Sequence, residues 1–189
     1  TYAPPPVHEA ASEDEVTPDD VADADAGPDA PWSGPAASPH AAAMDALAVL
    51  RRDNNIDAAD IESVEIGLPE TGWKIVGNPE EDKRNPTSIV DGQFSMPFCA
   101  AAILREGTLG WDHYRSHLQD EQTLDLGRRV STVVDPKAEA LFPKNMAGAA
   151  RVRTKSGTYE AFVEIPKGDP DNFLSKAEFL QKFNDLCGP

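Results

Sequence analysis

Histidines and a short basic pair are the residues of this sequence best suited to acid–base or anion-binding chemistry. His113 and His117 are four residues apart, the spacing that places two metal ligands on one face of a helix. No glutamate stands between them and no third ligand is evident, so an exposed helix face is favoured over a zinc site. The sequence also contains no nucleophile elbow, phosphate-binding loop or dinucleotide-binding glycine motif. Spacing alone therefore assembles no catalytic set.

His40 has the most suggestive surroundings of the four histidines. It falls in the first turn of a predicted helix, where unpaired backbone amides attract anions. Small residues on both sides of it would let a ligand approach. The competing interpretation is an ordinary surface histidine, which is the more common situation near a helix start. His40 is therefore a candidate functional residue.

Lys83 and Arg84 form a basic pair directly before the most apolar block of the chain. Cationic side chains in such a place can hold a carboxylate, which makes the pair a candidate substrate-binding site. The competing interpretation is a solvated loop that faces the acidic run at 80–82.

The elements that must position these residues can be predicted from periodicity. A helix is expected from Ser38 and Pro39 through Arg52, and its apolar stripe would consist of Met44, Leu47, Ala48 and Leu50. Alternation over 64–68 predicts a half-buried strand, and 72–76 is expected to be another short strand or a loop. The apolar block 94–104, closed by Gly107, predicts a buried helix.

The second half of the chain mixes short helices and strands without a regular βαβ rhythm. Two helices are predicted at 111–117 and 122–128, then a strand at 129–134 and a hairpin over 150–165. A capping box at Ser175–Glu178 starts a last helix, which ends at Gly188. Its apolar face would contain Phe179, Leu180, Phe183 and Leu186. The predicted fold class is α+β, an antiparallel sheet with packed helices.

Composition limits the function classes. The 189 residues include 33 acidic and 17 basic ones, a net charge of −16, so the clustered cations that a nucleic-acid binder needs are missing. No stretch is apolar enough to cross a bilayer and the start lacks a signal-peptide pattern, so a cytoplasmic protein without a membrane partner is expected. Cys99 and Cys187 are too distant to form a metal knuckle or an iron–sulfur ligand set, and no cofactor is predicted.

The acidic residues are concentrated at the beginning of the chain. Nine of them lie within the first 29 residues, interspersed with prolines, and no basic residue precedes Arg51. Such a segment has too little apolar surface to offset the entropy of ordering. We therefore expect a disordered acidic tail or linker at 1–35 and one domain at 36–189.

Three blocks of the sequence resemble the MmgE/PrpD family. The segment Asn85–Gly107 contains Phe94-Ser95-Met96-Pro97-Phe98 and is similar to the family's F-S-x-P-Y segment. The stretch His40–Leu47 resembles the family's histidine-containing helix, and Pro166–Phe183 resembles its C-terminal stretch. The blocks occur in the family's order, which chance matches would rarely preserve.

The resemblance implies the smaller, lid-like α+β domain of the family, over about residues 36–189. Family enzymes also possess a large helical domain and bind substrate in the cleft between the two; members include 2-methylcitrate dehydratase, cis-aconitate decarboxylase and iminodisuccinate epimerase. By this resemblance the chain is the C-terminal portion or small subunit of a cofactor-free lyase for a small di- or tricarboxylate. Dehydration of a 2-methylcitrate-like substrate is favoured, and decarboxylation or epimerisation are the other reactions of the family.

The resemblance also suggests roles for particular residues. His40 would be the catalytic residue that this chain contributes, and Lys83 and Arg84 would contact substrate carboxylates. Most catalytic groups would come from a separate helical-domain chain, the expected partner, and oligomerisation is left open. The family lysine before the histidine has no counterpart at 31–39, and Phe98 stands where the family has tyrosine. The alternative is a non-catalytic accessory or binding subunit that has lost the family chemistry.

Overall fold

The computed structural model of the protein describes residues 39–187. The predicted tail at 1–35, the cap candidate Ser38 and the predicted helix end at Gly188 lie outside the described residues. Over 39–187 the chain adopts the predicted α+β fold, in which helices pack on one four-stranded sheet.

The described residues form nine α-helices of very different lengths. They are α1 (Ala41–Asn54), α2 (Glu70–Val76), α3 (Glu80–Arg84), α4 (Ile89–Gln93), α5 (Met96–Glu106), α6 (Trp111–His117), α7 (Glu121–Arg128), α8 (Pro136–Leu141) and α9 (Lys176–Cys187). The predictions for α1, α5, α6, α7 and α9 are confirmed to within two residues at each described end.

The sheet has the strand order β2-β1-β3-β4 and is mixed. Its strands are β1 (Ile61–Leu68), β2 (Val130–Val134), β3 (Gly148–Thr154) and β4 (Gly157–Val163). β3 pairs antiparallel with β1 and with β4, but β1 and β2 run parallel, with Val64 opposite Val130. The predicted antiparallel sheet is therefore wrong for this one pair. A parallel pair requires a long crossover, and helices α2 to α7 provide it.

The core lies between the sheet and the two helices α1 and α5. α1 packs on β3 and β4, α5 packs near β2, and the two helices contact each other. The whole predicted stripe of α1 is buried, as are the inward-facing residues Val64, Ile66 and Leu68 of β1. Alanines on both helices allow this close approach, so burial extends over most of α1 and not over one stripe alone.

The prediction of a strand or loop at 72–76 is wrong, because these residues belong to helix α2. Pro69 precedes the helix in an extended conformation, and its carbonyl accepts the first helical hydrogen bond from the Trp73 N–H at 2.9 Å. The Trp73 indole donates to the Thr132 carbonyl at 3.2 Å, and Val76 is fully buried. Tertiary contacts thus outweigh the strand preference of the Ile-Val pair.

Helix α5 ends at the predicted glycine and begins at a serine cap that the sequence analysis did not name. The Ser95 hydroxyl accepts a hydrogen bond from the Phe98 N–H at 3.1 Å, and it also donates to the Lys83 carbonyl. Gly107 ends the helix with φ of 85°, a left-handed conformation that glycine adopts without a steric penalty.

Helix α9 leaves its apolar side uncovered. The predicted capping box is present, because Glu178 accepts from the Ser175 N–H at 2.7 Å and Ser175 accepts from the Glu178 N–H at 3.3 Å. The four predicted apolar residues are between 37 % and 60 % exposed, and no residue of α9 is buried. Phe173, just before the helix, is exposed as well.

Among residues 39–187, none of the helices combines the length and the apolar character that crossing a membrane requires.

Candidate functional site

His40 lies at the start of α1, between backbone positions that α2 and β3 approach closely. A Cβ atom at Gly72 of α2 would stand 3.2 Å from the Pro39 carbonyl oxygen. A Cβ atom at Gly148 of β3 would overlap the Ala43 backbone nitrogen and stand 2.8 Å from the Ala43 Cα. The small residues at this helix start therefore serve close backbone packing, and His40 is only 4 % exposed.

The His40 imidazole is neutral at physiological pH. Burial disfavours the charged form and lowers its pKa from 6.5 to about 4. A neutral imidazole has one nitrogen that accepts a proton and one N–H that donates a hydrogen bond. His40 thus has the protonation state that a general base needs before it reacts.

Lys83 and Arg84 lie at the end of α3, against different parts of the molecule. The Arg84 guanidinium donates to the Val130 carbonyl at 2.9 Å and pairs with Glu80 at 2.7 Å. Lys83 lines a surface cavity of about 560 Å³ together with Asp91 and other residues of α3 and α4. Arg84 is therefore held by backbone and carboxylate contacts, whereas Lys83 borders an open cavity that Glu81, Asp82 and Asp91 also line, so this cavity by itself does not favour an anion.

The structure does not bring His40 into one cluster with the basic pair. The start of α1 lies by α2, near Leu68 at the end of β1. Arg84 donates to the carbonyl of Val130 on β2, and Val130 pairs with Val64 of β1. Leu68 and Val64 are four residues apart along β1, which corresponds to about 13 Å at the usual rise of a strand. A single ligand that contacts both His40 and Arg84 must therefore span about that distance, and further residues must enclose its middle.

Phe98, at the position of the family tyrosine, is buried in the first turn of α5. It is 2 % exposed, and its ring stacks on Tyr114 of α6 with 6.0 Å between centroids. The Tyr114 hydroxyl lies 4.0 Å from the Cys99 sulfur, and burial raises its pKa. The phenol nearest to Phe98 thus faces the interior and does not replace the family's tyrosine hydroxyl.

Asp45 is a functional candidate that the sequence analysis missed. It lies on α1, is 6 % exposed, and accepts a hydrogen bond from the Lys167 N–H at 2.7 Å through Oδ2. Its Oδ1 atom is buried without a hydrogen-bond partner among the described residues. Burial raises its pKa from 3.8 to about 6. An acidic residue inside the otherwise apolar run at 41–50 is the sequence signal that points to it.

His113 and His117 form an internal contact and not the expected exposed face. His117 is buried, and its Nδ1 lies 2.7 Å from the Thr123 hydroxyl. The His113 Nδ1 accepts a hydrogen bond from the Gly110 N–H at 3.0 Å. Over residues 39–187, no group of three or more histidine, cysteine, aspartate or glutamate side chains is arranged to hold a metal ion.

Three arginines line a cavity of about 610 Å³ at the far ends of α1 and α5. Arg51 donates to the Leu104 carbonyl at 2.9 Å. Arg105 and Arg129 each pair with an aspartate, and Arg129 also donates to the Ile61 carbonyl at 2.9 Å. Because these guanidinium groups are used to join segments of the fold, the cavity is not a ready-made anion site.

Comparison with known proteins gives a family for this chain. No curated protein matches the chain. The family model of the MmgE/PrpD C-terminal domain matches residues 35–189, which is most of the chain and includes His40, the basic pair and α9. The chain therefore belongs to the MmgE/PrpD family, of which it contains the C-terminal domain.

Proposed function

We propose that this chain forms one wall of the active-site cleft of a cofactor-free lyase that acts on a small di- or tricarboxylate. Dehydration of a 2-methylcitrate-like substrate is the favoured reaction. The observation that carries the proposal is the family domain over 35–189, with a buried and neutral His40 at the start of α1. Most of the remaining catalytic groups come from a helical domain.

In this proposal His40 transfers the proton. Elimination of water needs a base near the acidic carbon and an acid for the leaving hydroxyl. A pKa of about 4 makes His40 a weak base in the absence of substrate. Carboxylates of a bound substrate favour the imidazolium ion and raise this pKa towards the operating pH. Because His40 is 4 % exposed, its neighbours must move aside when the substrate enters.

Cations are needed near the substrate because the whole chain repels it. A net charge of −16 disfavours the approach of a polycarboxylate at long range. We assign substrate-carboxylate contacts to Lys83, which borders an open cavity, and to Arg84, which would exchange its contact with Glu80 for the ligand. The helical domain supplies the positive groups that these two residues cannot.

The helical domain is also the proposed partner of α9. Exposed apolar patches of several hundred Å² mark interaction sites on soluble proteins. The side chains of Phe173, Phe179, Phe183 and Leu186 are all more than half exposed, and they lie on or just before α9. A helical-domain chain that packs on these side chains would complete the cleft.

The test combines the purified chain with a family helical-domain chain and follows the dehydration of 2-methylcitrate. His40→Ala is expected to lower turnover of the assembly by about 10- to 1,000-fold, since general acid–base groups contribute at this level. His113→Ala is the matched control, because this second histidine lies on α6 and is expected to leave turnover unchanged. Full turnover by the His40 variant would remove His40 from the mechanism. Turnover by the isolated chain would contradict the need for a helical domain.

A second function, a non-catalytic binding subunit, is favoured by one observation. Phe98 provides no hydroxyl at the family's tyrosine position, and its ring is buried against Tyr114. If the chain only binds, it will form a stable complex through α9, and neither His40→Ala nor Phe98→Tyr will change turnover. If it is catalytic, only the His40 variant will lose activity.

A further inference from the structure

Three charged residues join three segments of the chain where α9 begins. Asp45 lies on α1, Lys167 in the loop after β4, and Glu178 in the first turn of α9. The Lys167 N–H donates to Asp45 Oδ2 at 2.7 Å, and its ammonium pairs with Glu178 Oε2 at 3.1 Å. We call these three residues the Lys167 cluster.

The Lys167 cluster lies at the first turn of α9, where this helix meets the rest of the domain. The Glu178 side chain is 13 % exposed, whereas the apolar residues beyond the first turn are largely exposed. α9 therefore extends from the domain, and its first turn determines its direction. The ion pair between Lys167 and Glu178 is one of the contacts that join this first turn to the rest of the domain.

Asp45 occupies a position that tolerates its neutral form better than its charged form. Its Oδ1 atom has no hydrogen-bond partner among the described residues, and an ionised carboxylate with an unpaired buried oxygen is costly. Burial raises the pKa of Asp45 to about 6, although the Lys167 N–H and ammonium act in the opposite direction. The charge of Glu178 adds to the increase.

We propose that the Lys167 cluster is a charge-controlled attachment, which holds α9 to α1 while Asp45 is neutral and releases it when Asp45 is ionised. An ionised Asp45 requires a counter-charge, and the nearest one is the Lys167 ammonium that now binds Glu178. When the ammonium moves to Asp45, α9 loses its ion pair. This inference concerns α9 alone and does not rest on the proposed function.

The other titrating groups near the cluster leave a defined pH window. Burial alone would raise the pKa of Glu178, but its hydrogen bonds to Ser175 and Lys167 hold it below its usual 4.5. His40, five residues before Asp45 on the same helix, stays neutral down to about pH 4. The attachment is thus tightest near pH 4.5, weakens as the pH rises to about 6, and changes little above that.

The chain offers a position for a probe of this motion. Cys187 at the end of α9 is exposed, whereas Cys99 is buried and its pKa is raised to about 12, so a thiol-reactive nitroxide labels Cys187 selectively. Electron paramagnetic resonance of the labelled full chain between pH 4.5 and 7 reports the mobility of α9. The ratio of mobile to restrained label is expected to rise by up to about 25-fold over this range, as follows from a pKa that moves from 3.8 to about 6.

Three variants separate the cluster from a general effect of pH. Asp45→Asn is expected to stay restrained at both ends of the range, and Lys167→Met to be mobile at both. Asp185→Asn removes an exposed charge from α9 outside the cluster and is expected to keep the wild-type step. A wild-type label whose mobility does not rise between pH 4.5 and 6, or the same rise in Asp45→Asn, would overturn the proposal.

Discussion

Helices α1 and α9 have similar lengths and comparable apolar residues but opposite fates in the fold. α1 has nine buried residues among its 14, and β3 approaches it so closely that only glycine fits at position 148. α9 has 12 residues and none of them is buried. A helical apolar stripe therefore predicts that a face will be covered, but it does not say whether the covering element belongs to the same chain.

The largest expected effect is the different loss of stability when an apolar residue is removed from α1 and from α9. Leu47→Ala should destabilise the domain by about 2–5 kcal/mol, because it leaves a cavity at a fully buried position. Phe183→Ala on α9 should change the free energy of unfolding by no more than about 0.5 kcal/mol, since that side chain is 55 % exposed. Urea unfolding followed by circular dichroism measures both. Equal losses would mean that the chain itself covers α9.

The next effect concerns the buried histidine of α1. A pKa lowered from 6.5 to about 4 means that His40 contributes stability that is complete above pH 6.5 and is lost as the pH falls towards 4. His40→Gln should remove up to about 3 kcal/mol of this pH dependence. Thermal unfolding at a series of pH values is the measurement, with His113→Gln as control. A His40 variant that keeps the wild-type profile would show that the imidazole is not desolvated.

The third prediction concerns Asp45, which lies on α1 like His40 but has a pKa shifted in the opposite direction. Because burial raises the pKa of Asp45 from 3.8 to about 6, its contribution is complete below pH 3.8 and is lost as the pH rises through 6. Asp45→Asn should therefore stabilise the domain at pH 8, by about 2–3 kcal/mol at most. His40 and Asp45 oppose each other between pH 4 and 6, so the wild-type profile should be shallow there. If the stability of the wild-type domain changed steeply with pH between 4 and 6, the opposing contributions of His40 and Asp45 would be contradicted.

Local signals were sufficient to predict most elements of the fold. Periodicity located α1 and β1, apolar alanine-rich composition located α5, and Gly107 and Ser175 located helix ends. The error at α2 arose because Ile75 and Val76 have strand preference, and only the contacts of Trp73 and Val76 with the sheet decide for a helix. The parallel pairing of β1 and β2 depends on a long crossover, for which the sequence carries no local signal.

The candidate site was less predictable because its geometry depends on distant segments. The sequence placed His40 at a helix start, but it did not predict that Gly72 and Gly148 on two other elements pack closely against the backbone on either side of it, or that His40 is buried. Asp45 was missed since its partner Lys167 is more than 120 residues away. Lys83 and Arg84 were grouped with His40 by charge and resemblance, and the relation between them depends on which points of β1 and β2 they contact.

The parallel pairing of β1 with β2 also has a consequence for how the domain folds. Val64 and Val130 are neighbours in the sheet but more than sixty residues apart in the chain. Contacts of such long range slow folding, because the entropy of closing the loop is lost before the pairing stabilises anything. The hairpin of β3 and β4 needs only a short turn at Lys155–Ser156. Refolding should thus begin at the hairpin, and a nascent chain that ends before residue 148 has only half of its sheet.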